Sequence, residues 1–194
     1  MGVFQAEWIG QAAPVWPRNE LFYDCPMPTL IHRFDTPAST QNWKPINDGV
    51  MGGVSSSQMR FDLAGHAVFE GVVSLENNGG FASVRASALD LGCADTVAYG
   101  LTAWGDGHTY KLNLRTDSGF DGINYQAVFT PAPGLWTQTV LPVTAFEPSF
   151  RGRLVQSAPP LQPEAVRQVG LMISDKQAGA FLLLVRNIEA LTCG

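Results

Sequence analysis

A chain of 194 residues with 45% hydrophobic content is long enough to bury one substantial core. Only 15% of its residues are charged, while 20 glycines and 13 prolines point to many tight turns rather than long surface helices. The net charge of −5 argues against the basic surface that nucleic acid or an anionic membrane would require, so neither is expected as a partner.

Residues 1–30 read as an extended arm, punctuated by Pro14, Pro17, Pro26 and Pro28 and carrying Trp8 and Trp16. It is expected to pack irregularly on a domain occupying residues 31–194. The amino terminus shows neither a secretory pattern nor an Arg-rich transit pattern. A bacterial-type cytoplasmic protein is therefore expected, mitochondrial or plastid only if a transit peptide has been removed.

The first motif is Asn47-Asp48-Gly49-Val50-Met51-Gly52-Gly53-Val54-Ser55-Ser56-Ser57. Its glycines fit turns or a bulge, where the backbone needs positive φ or close approach. The spacing is not that of a phosphate-binding loop. Asp48 is placed to accept backbone hydrogen bonds within its own loop.

Beyond this loop, alternation of apolar and polar residues predicts strands. Ala67, Phe69, Val73 and Leu75 share one face. Asn77-Asn78-Gly79-Gly80 reads as a hairpin connection into a strand from Phe81 to Ser87, with Ala82, Val84 and Ala86 inward and Phe81, Ser83 and Arg85 outward. Arg85 is then either a recognition group or a stem covering apolar surface. Val97, Tyr99, Leu101 and Ala103 form another apolar face.

In Tyr110–Arg115, Tyr110, Leu112 and Leu114 face one way, and Lys111, Asn113 and Arg115 the other. Those three polar residues can bind a carboxylate or a hydroxyl-rich partner, or form an ordinary solvated sheet face. Ile123, Tyr125, Ala127 and Phe129 repeat the pattern, and Trp136 with Val140 supplies a further apolar face. Phe150-Arg151-Gly152-Arg153, between Pro148 and Pro159-Pro160, suits an interface hot spot or ion pairs within the domain.

Pro163-Glu164-Ala165-Val166 can open one short helix, with proline at the first-turn position it tolerates. Val169, Leu171 and Ile173 share a face. Asp175 and Lys176 either close a turn or join Arg151 around a shared site. Ala180–Val185 is far too short to span a bilayer. The stretch from Phe181 to Ile188 is apolar on both faces and should run through the middle of a sheet. Short strands, frequent turns and no long amphipathic helix predict an all-β fold, a two-sheet antiparallel sandwich.

Catalytic chemistry finds little footing. Cys25, Cys93 and Cys193 lack metal spacing and read as reduced thiols. His32, His66 and His108 are isolated, and Asp48, Glu70, Glu76, Asp106, Asp117 and Asp121 form no distinctive pair. No metal, cofactor or enzymatic activity is expected.

The first motif, Glu76–Arg85, Tyr110–Thr116, Asp121–Gln126, Phe150–Arg153 and Leu171–Gly179 together resemble, in order, the complex I intermediate-associated protein 30 family, over about Phe34 to Glu189. The resemblance implies a galactose-binding-like jelly roll. It also implies a non-catalytic, chaperone-like assembly factor for a multisubunit membrane complex, most plausibly respiratory complex I or a related NADH dehydrogenase. Its protein subunits would be the partners. The candidate partner- or ligand-binding residues are Arg85, Lys111, Asn113, Arg115, Arg151, Arg153, Asp175 and Lys176. The rival reading is a carbohydrate-binding module, for which Tyr125, Trp104 or Phe81 would supply the aromatic platform.

Overall fold

Period-two alternation builds antiparallel strands whose apolar sides stack on one another. The computed structural model describes residues 27–87 and 91–192. In chain order the strands are β1 (Met27–Arg33), β2 (Lys44–Pro45), β3 (Ser56–Asp62), β4 (His66–Val73), β5 (Ala82–Ser87), β6 (Thr96–Trp104) and β7 (Tyr110–Arg115). They continue with β8 (Asn124–Phe129), β9 (Trp136–Pro142), β10 (Glu147–Phe150), β11 (Arg153–Leu154), β12 (Gln168–Ile173) and β13 (Gly179–Thr192). One sheet runs β3-β4-β13-β6-β9, with β1 also pairing β13; the other runs β11-β10-β8-β7-β12-β5-β2. The result is the expected all-β sandwich of jelly-roll type. Residues 1–26 of the expected arm, Cys25 and Cys193 lie outside the described residues, residues 27–30 belong to β1, and Cys93 is a free thiol.

The core forms where the sheets face each other. Phe69 and Phe181 from the six-stranded sheet stand 4.9 Å apart, and each meets Tyr110 of the seven-stranded sheet, at 6.3 and 6.4 Å between ring centroids. Such edge-on contacts add to the apolar area buried. Tyr110 keeps its hydroxyl satisfied by donating to Asp106 Oδ1 at 2.9 Å. As expected, β13 lies in the middle of its sheet, between β4 and β6. A register irregularity between Val185 and Asn187 bulges β13 at Arg186, whose guanidinium stacks 4.1 Å over Trp136.

Four local expectations change. Val97 is exposed, because the register of β6 on β13 shifts between Leu191 and Thr192 and turns it outward. Trp136 and Val140 share the outer face of β9, and the inward residue there is Leu141, opposite buried Tyr99. Leu75 lies beyond the end of β4 and is exposed. Asn77–Gly80 is not a hairpin, since β4 and β5 belong to different sheets; it is a crossing from one layer to the other.

Asp48 explains how that crossing is held. Its side chain is 0% exposed and reaches well beyond its own loop. Oδ1 accepts from the Ser55 amide at 2.9 Å, while Oδ2 accepts from the Ser55 hydroxyl and from the Gly80 and Phe81 amides at 2.7 and 3.4 Å. A Cβ on Gly53 would lie 2.4 Å from the carboxylate, and one on Gly79 would lie 2.6 Å from Oδ2, so both positions require glycine. Neighbouring Asn47 accepts through Oδ1 from the Ser57 hydroxyl at 2.6 Å and the Ser83 amide at 3.1 Å, joining β3 to β5.

Burial pushes the Asp48 carboxyl up, but the hydrogen bonds from Ser55, Gly80 and Phe81 outweigh it and hold the group below its ordinary value of 3.8. Asp48→Ala strands several buried donors and should lower unfolding stability by about 3 kcal/mol in urea titrations. A carboxylate with a depressed folded-state pKa contributes fully above the ordinary carboxylate range, and loses that contribution as pH falls through the depressed value. Wild type should therefore lose stability more steeply than Asp48→Ala as pH drops below 3.8, and parallel pH profiles would contradict this role.

Candidate functional site

The outward side of the seven-stranded sheet carries a cleft of 460 Å³. Alternation supplies its floor: Lys111, Asn113 and Arg115 on β7, Gln168, Gly170 and Met172 on β12, and Ser83 and Arg85 on β5 point away from the core. Register fixes their neighbours. Asn113 pairs with Gln126 on one side and Gly170 on the other, and Gly170 pairs with Arg85. Gly170 has no room for a side chain, since a Cβ there would lie 2.8 Å from the Val84 carbonyl oxygen. The missing side chain leaves a hollow between Asn113 and Arg85.

One wall is the connection from β7 to β8, residues 116–123, and side chains from three strands hold it down. Arg115, 2% exposed, donates to the Phe120 carbonyl at 2.8 Å and to both Asp117 carboxylate oxygens at 2.9 and 3.0 Å. Gln168 Nε2 donates to the carbonyls of Asp117 and Gly119 at 2.7 and 2.9 Å, and Arg85 donates to Phe120 O at 3.1 Å. A Cβ on Gly122 would lie 2.3 Å from Arg115 Nη2, so glycine is needed for the loop to close over the guanidinium. This leaves Phe120 68% exposed at the cleft mouth, with Arg85 Cζ 5.6 Å from its ring centroid.

Ion pairs flank the floor. Lys111 Nζ meets Asp175 at 2.9 Å, and Arg151 meets Asp121 at 2.6 Å. Asp175 and Arg151 both adopt positive φ, at 62° and 48°, a conformation that costs non-glycine residues energy. The hydrogen bond from Arg151 holds the Asp121 carboxyl below its usual range. Burial, followed by the nearby charge of Arg115, pushes Arg85 below the ordinary arginine range.

Six of the eight sequence-identified residues thus line one cleft: Arg85, Lys111, Asn113, Arg115, Arg151 and Asp175. Arg115 sits there as a strut for the wall, and Arg151 makes an ion pair within the domain. Arg153, exposed on two-residue β11, and Lys176, at φ 61° in the turn after β12, do not line it. That turn is locked by Gln177, which accepts from the Thr109 amide at 2.9 Å and donates to its carbonyl at 2.8 Å. Sequence reasoning missed Gln168, Gly170 and Phe120. For the first two a signal existed, because they alternate with inward Val169 and Leu171. Of the suggested aromatic platforms, Phe81 lines the cleft. Tyr125 is buried, with its hydroxyl on Pro159 O at 3.1 Å, and Trp104 lies opposite Trp136 on the other sheet.

Residues 32–185 match the family model described as complex I intermediate-associated protein 30. The mitochondrial complex I intermediate-associated protein 30 of Neurospora crassa is 22% identical over 203 aligned residues, covering 84% of this chain and 73% of that protein. An uncharacterized protein of Schizosaccharomyces pombe is 26% identical over 171 residues, covering 78% of each. Among solved structures, the family 11 carbohydrate-binding module of a Clostridium thermocellum cellulosomal cellulase superposes with a TM-score of 0.63 at 11% identity, covering 87% of this chain and 96% of that one. The family 11 module from that organism in complex with a beta-1,3-1,4-mixed-linked tetrasaccharide gives 0.60 at 13% identity, covering 84% and 97%. At such identities the likeness is one of fold.

Arg115→Met removes the strut beneath the wall. It should accelerate amide exchange at Gly119 and Gly122 at least tenfold and cost about 2 kcal/mol of stability, since its partner Asp117 is only half-buried. Unchanged exchange would show that Gln168 and Arg85 suffice to hold the loop.

Proposed function

The chain belongs to the complex I intermediate-associated protein 30 family, and from that premise we propose that it is a non-catalytic, chaperone-like assembly factor. Its clients are subunits of a multisubunit membrane complex, most directly respiratory complex I or a related NADH dehydrogenase. The observation that carries the reading is the family match over residues 32–185, which takes in every residue of the cleft. The cleft chemistry agrees with it: arginine, methionine and phenylalanine, supplied here by Arg85, Arg151, Met172, Phe81 and Phe120, are the side chains that protein interfaces favour. Among the described residues no helix is long and apolar enough to cross a membrane. The factor is proposed to act from the cytoplasmic side, while the Neurospora relative is by its name mitochondrial.

A carbohydrate-binding role has one observation in its favour, the fold shared with a module solved around a tetrasaccharide. Against it, no tyrosine or tryptophan among the described residues lines the cleft, and sugar stacking would fall to Phe81 and Phe120.

Affinity capture of the tagged chain from its native cell, with mass spectrometry, tests the assembly role. Dehydrogenase subunits should co-purify with wild type and decrease at least severalfold with Arg151→Ala/Arg153→Ala. Retention of the subunits by the double variant would exclude the β10–β11 hairpin as the contact. Absence of such subunits from the wild-type capture, together with a positive glycan screen, would overturn the assembly role in favour of the second reading.

A further inference from the structure

The cleft holds an excess of cations, and one of them makes no ion pair with a described residue. Arg85, Lys111, Arg115 and Arg151 line it against Asp121 and Asp175, on a chain whose net charge is −5. Lys111 is paired with Asp175, Arg115 with Asp117 and Arg151 with Asp121. Among the described residues Arg85 has no carboxylate within salt-bridge distance. Its hydrogen bonds all leave from Nη1, to the neutral oxygens Phe120 O at 3.1 Å and Gln168 Oε1 at 3.3 Å. A half-buried guanidinium held this way has Asp117 and Asp121 acting on it only from beyond salt-bridge distance, and burial with the charge of Arg115 outweighs them.

A second group in the same cross-strand row is also unsatisfied. Asn113 is 7% exposed, and its buried Oδ1 has no hydrogen-bond partner among the described residues. It lies two strands from Arg85, about 10 Å at the usual strand spacing, with only the Gly170 hollow between them. Buried amides are rarely left unpaired. A side-chain amide is matched best by another amide, which offers one donor and one acceptor at the same spacing. An extended peptide presents that pair along its backbone, and about three residues of it span 10 Å.

We infer that this row docks an extended acidic segment of a partner protein, with a carboxylate on Arg85, a backbone amide on Asn113 and the chain passing over Gly170. The inference rests on the proposed assembly role and names the partner chemistry at that site. The unpaired cation favours an acidic ligand over a neutral glycan, and the Asn113 amide favours a peptide over an acidic sugar. An ion pair with an incoming carboxylate would offset both the desolvation of Arg85 and its repulsion from Arg115.

Fluorescence anisotropy with a labelled decapeptide of alternating Glu and Ser tests this, beside a matched Gln/Ser peptide and an oligogalacturonate. The Glu/Ser peptide should bind saturably at low salt and at least tenfold more tightly than Gln/Ser. Binding should weaken at least tenfold in Arg85→Gln and in Asn113→Asp, which keeps the side-chain shape while adding like charge. Arg60→Gln on the other sheet should bind as wild type does, and thermal unfolding of each variant separates loss of the site from loss of the fold. No binding of the Glu/Ser peptide, equal binding of both peptides, or an indifferent Arg85→Gln overturns the inference. So does binding of oligogalacturonate in the peptide's stead, which would give the cleft to an acidic glycan. Capture from the native cell separates this from the functional reading: dehydrogenase subunits recovered equally with Arg85→Gln and wild type would leave the assembly role standing and remove this docking mode. Acidic peptide binding through Arg85 without such subunits would do the reverse.

Discussion

A carboxylate sealed from water at the seam of the two sheets is the constraint on which the rest of the architecture turns. Asp48 is tolerable in that position only because four donors from two distant stretches of chain converge on it. That convergence fixes where the chain leaves β4 in one layer and enters β5 in the other. Asn47 repeats the device one residue earlier, binding Ser57 of β3 and Ser83 of β5. The consequence reaches the cleft, because the Ser83 hydroxyl of β5 donates to the carbonyl of Ile46, just past β2, and both residues line the cleft. The placement of Arg85, two residues on, therefore depends on a charge buried at the end of the sandwich.

The second determinant is the way the wall is held. Arg115, Gln168 and Arg85 arise on three strands, yet all donate to carbonyls of one loop. A connection fixed in this way has little conformational freedom left to lose on binding, so contacts made against it are not offset by ordering cost. Arg115 lines the cleft while turning its donors to the wall. Its Nη1 and Nη2 groups are bound to the loop, and its charge acts on Arg85.

Strand identity is legible in the sequence wherever alternation is strict, as in Tyr110–Arg115, and where both faces are apolar, as in Phe181–Ile188. Both patterns follow from local geometry, which a single segment contains in full. Layer assignment is not local. Asn77–Gly80 has the composition of a hairpin turn, and only the distant carboxylate of Asp48 turns it into a crossing. Val97 likewise alternates correctly, but a register shift at Leu191, far along the chain, decides its direction. The site follows the same division. The outward row of β7 is readable from its own alternation, whereas the importance of Gly170 emerges only when β12 is placed between Asn113 and Arg85.

Fold alone assigns neither a glycan nor a protein to this cleft, because an outward sheet face in a jelly roll is a surface that side chains specialise. What specialises it here is charge held near amides. A neutral sugar could stack on exposed Phe120 but would bring Arg85 no carboxylate. A protein segment with acidic side chains would supply the counter-charge and match the Asn113 amide within one extended stretch. The ion pairs at the margins fit the same chemistry: Asp175 and Asp121 already place carboxylates against cations of the cleft, so they mark the kind of group its rim accommodates. An acidic client would enter a site whose own residues rehearse the contact, and its specificity would come from Arg85, the cleft cation with no carboxylate at salt-bridge distance among the described residues.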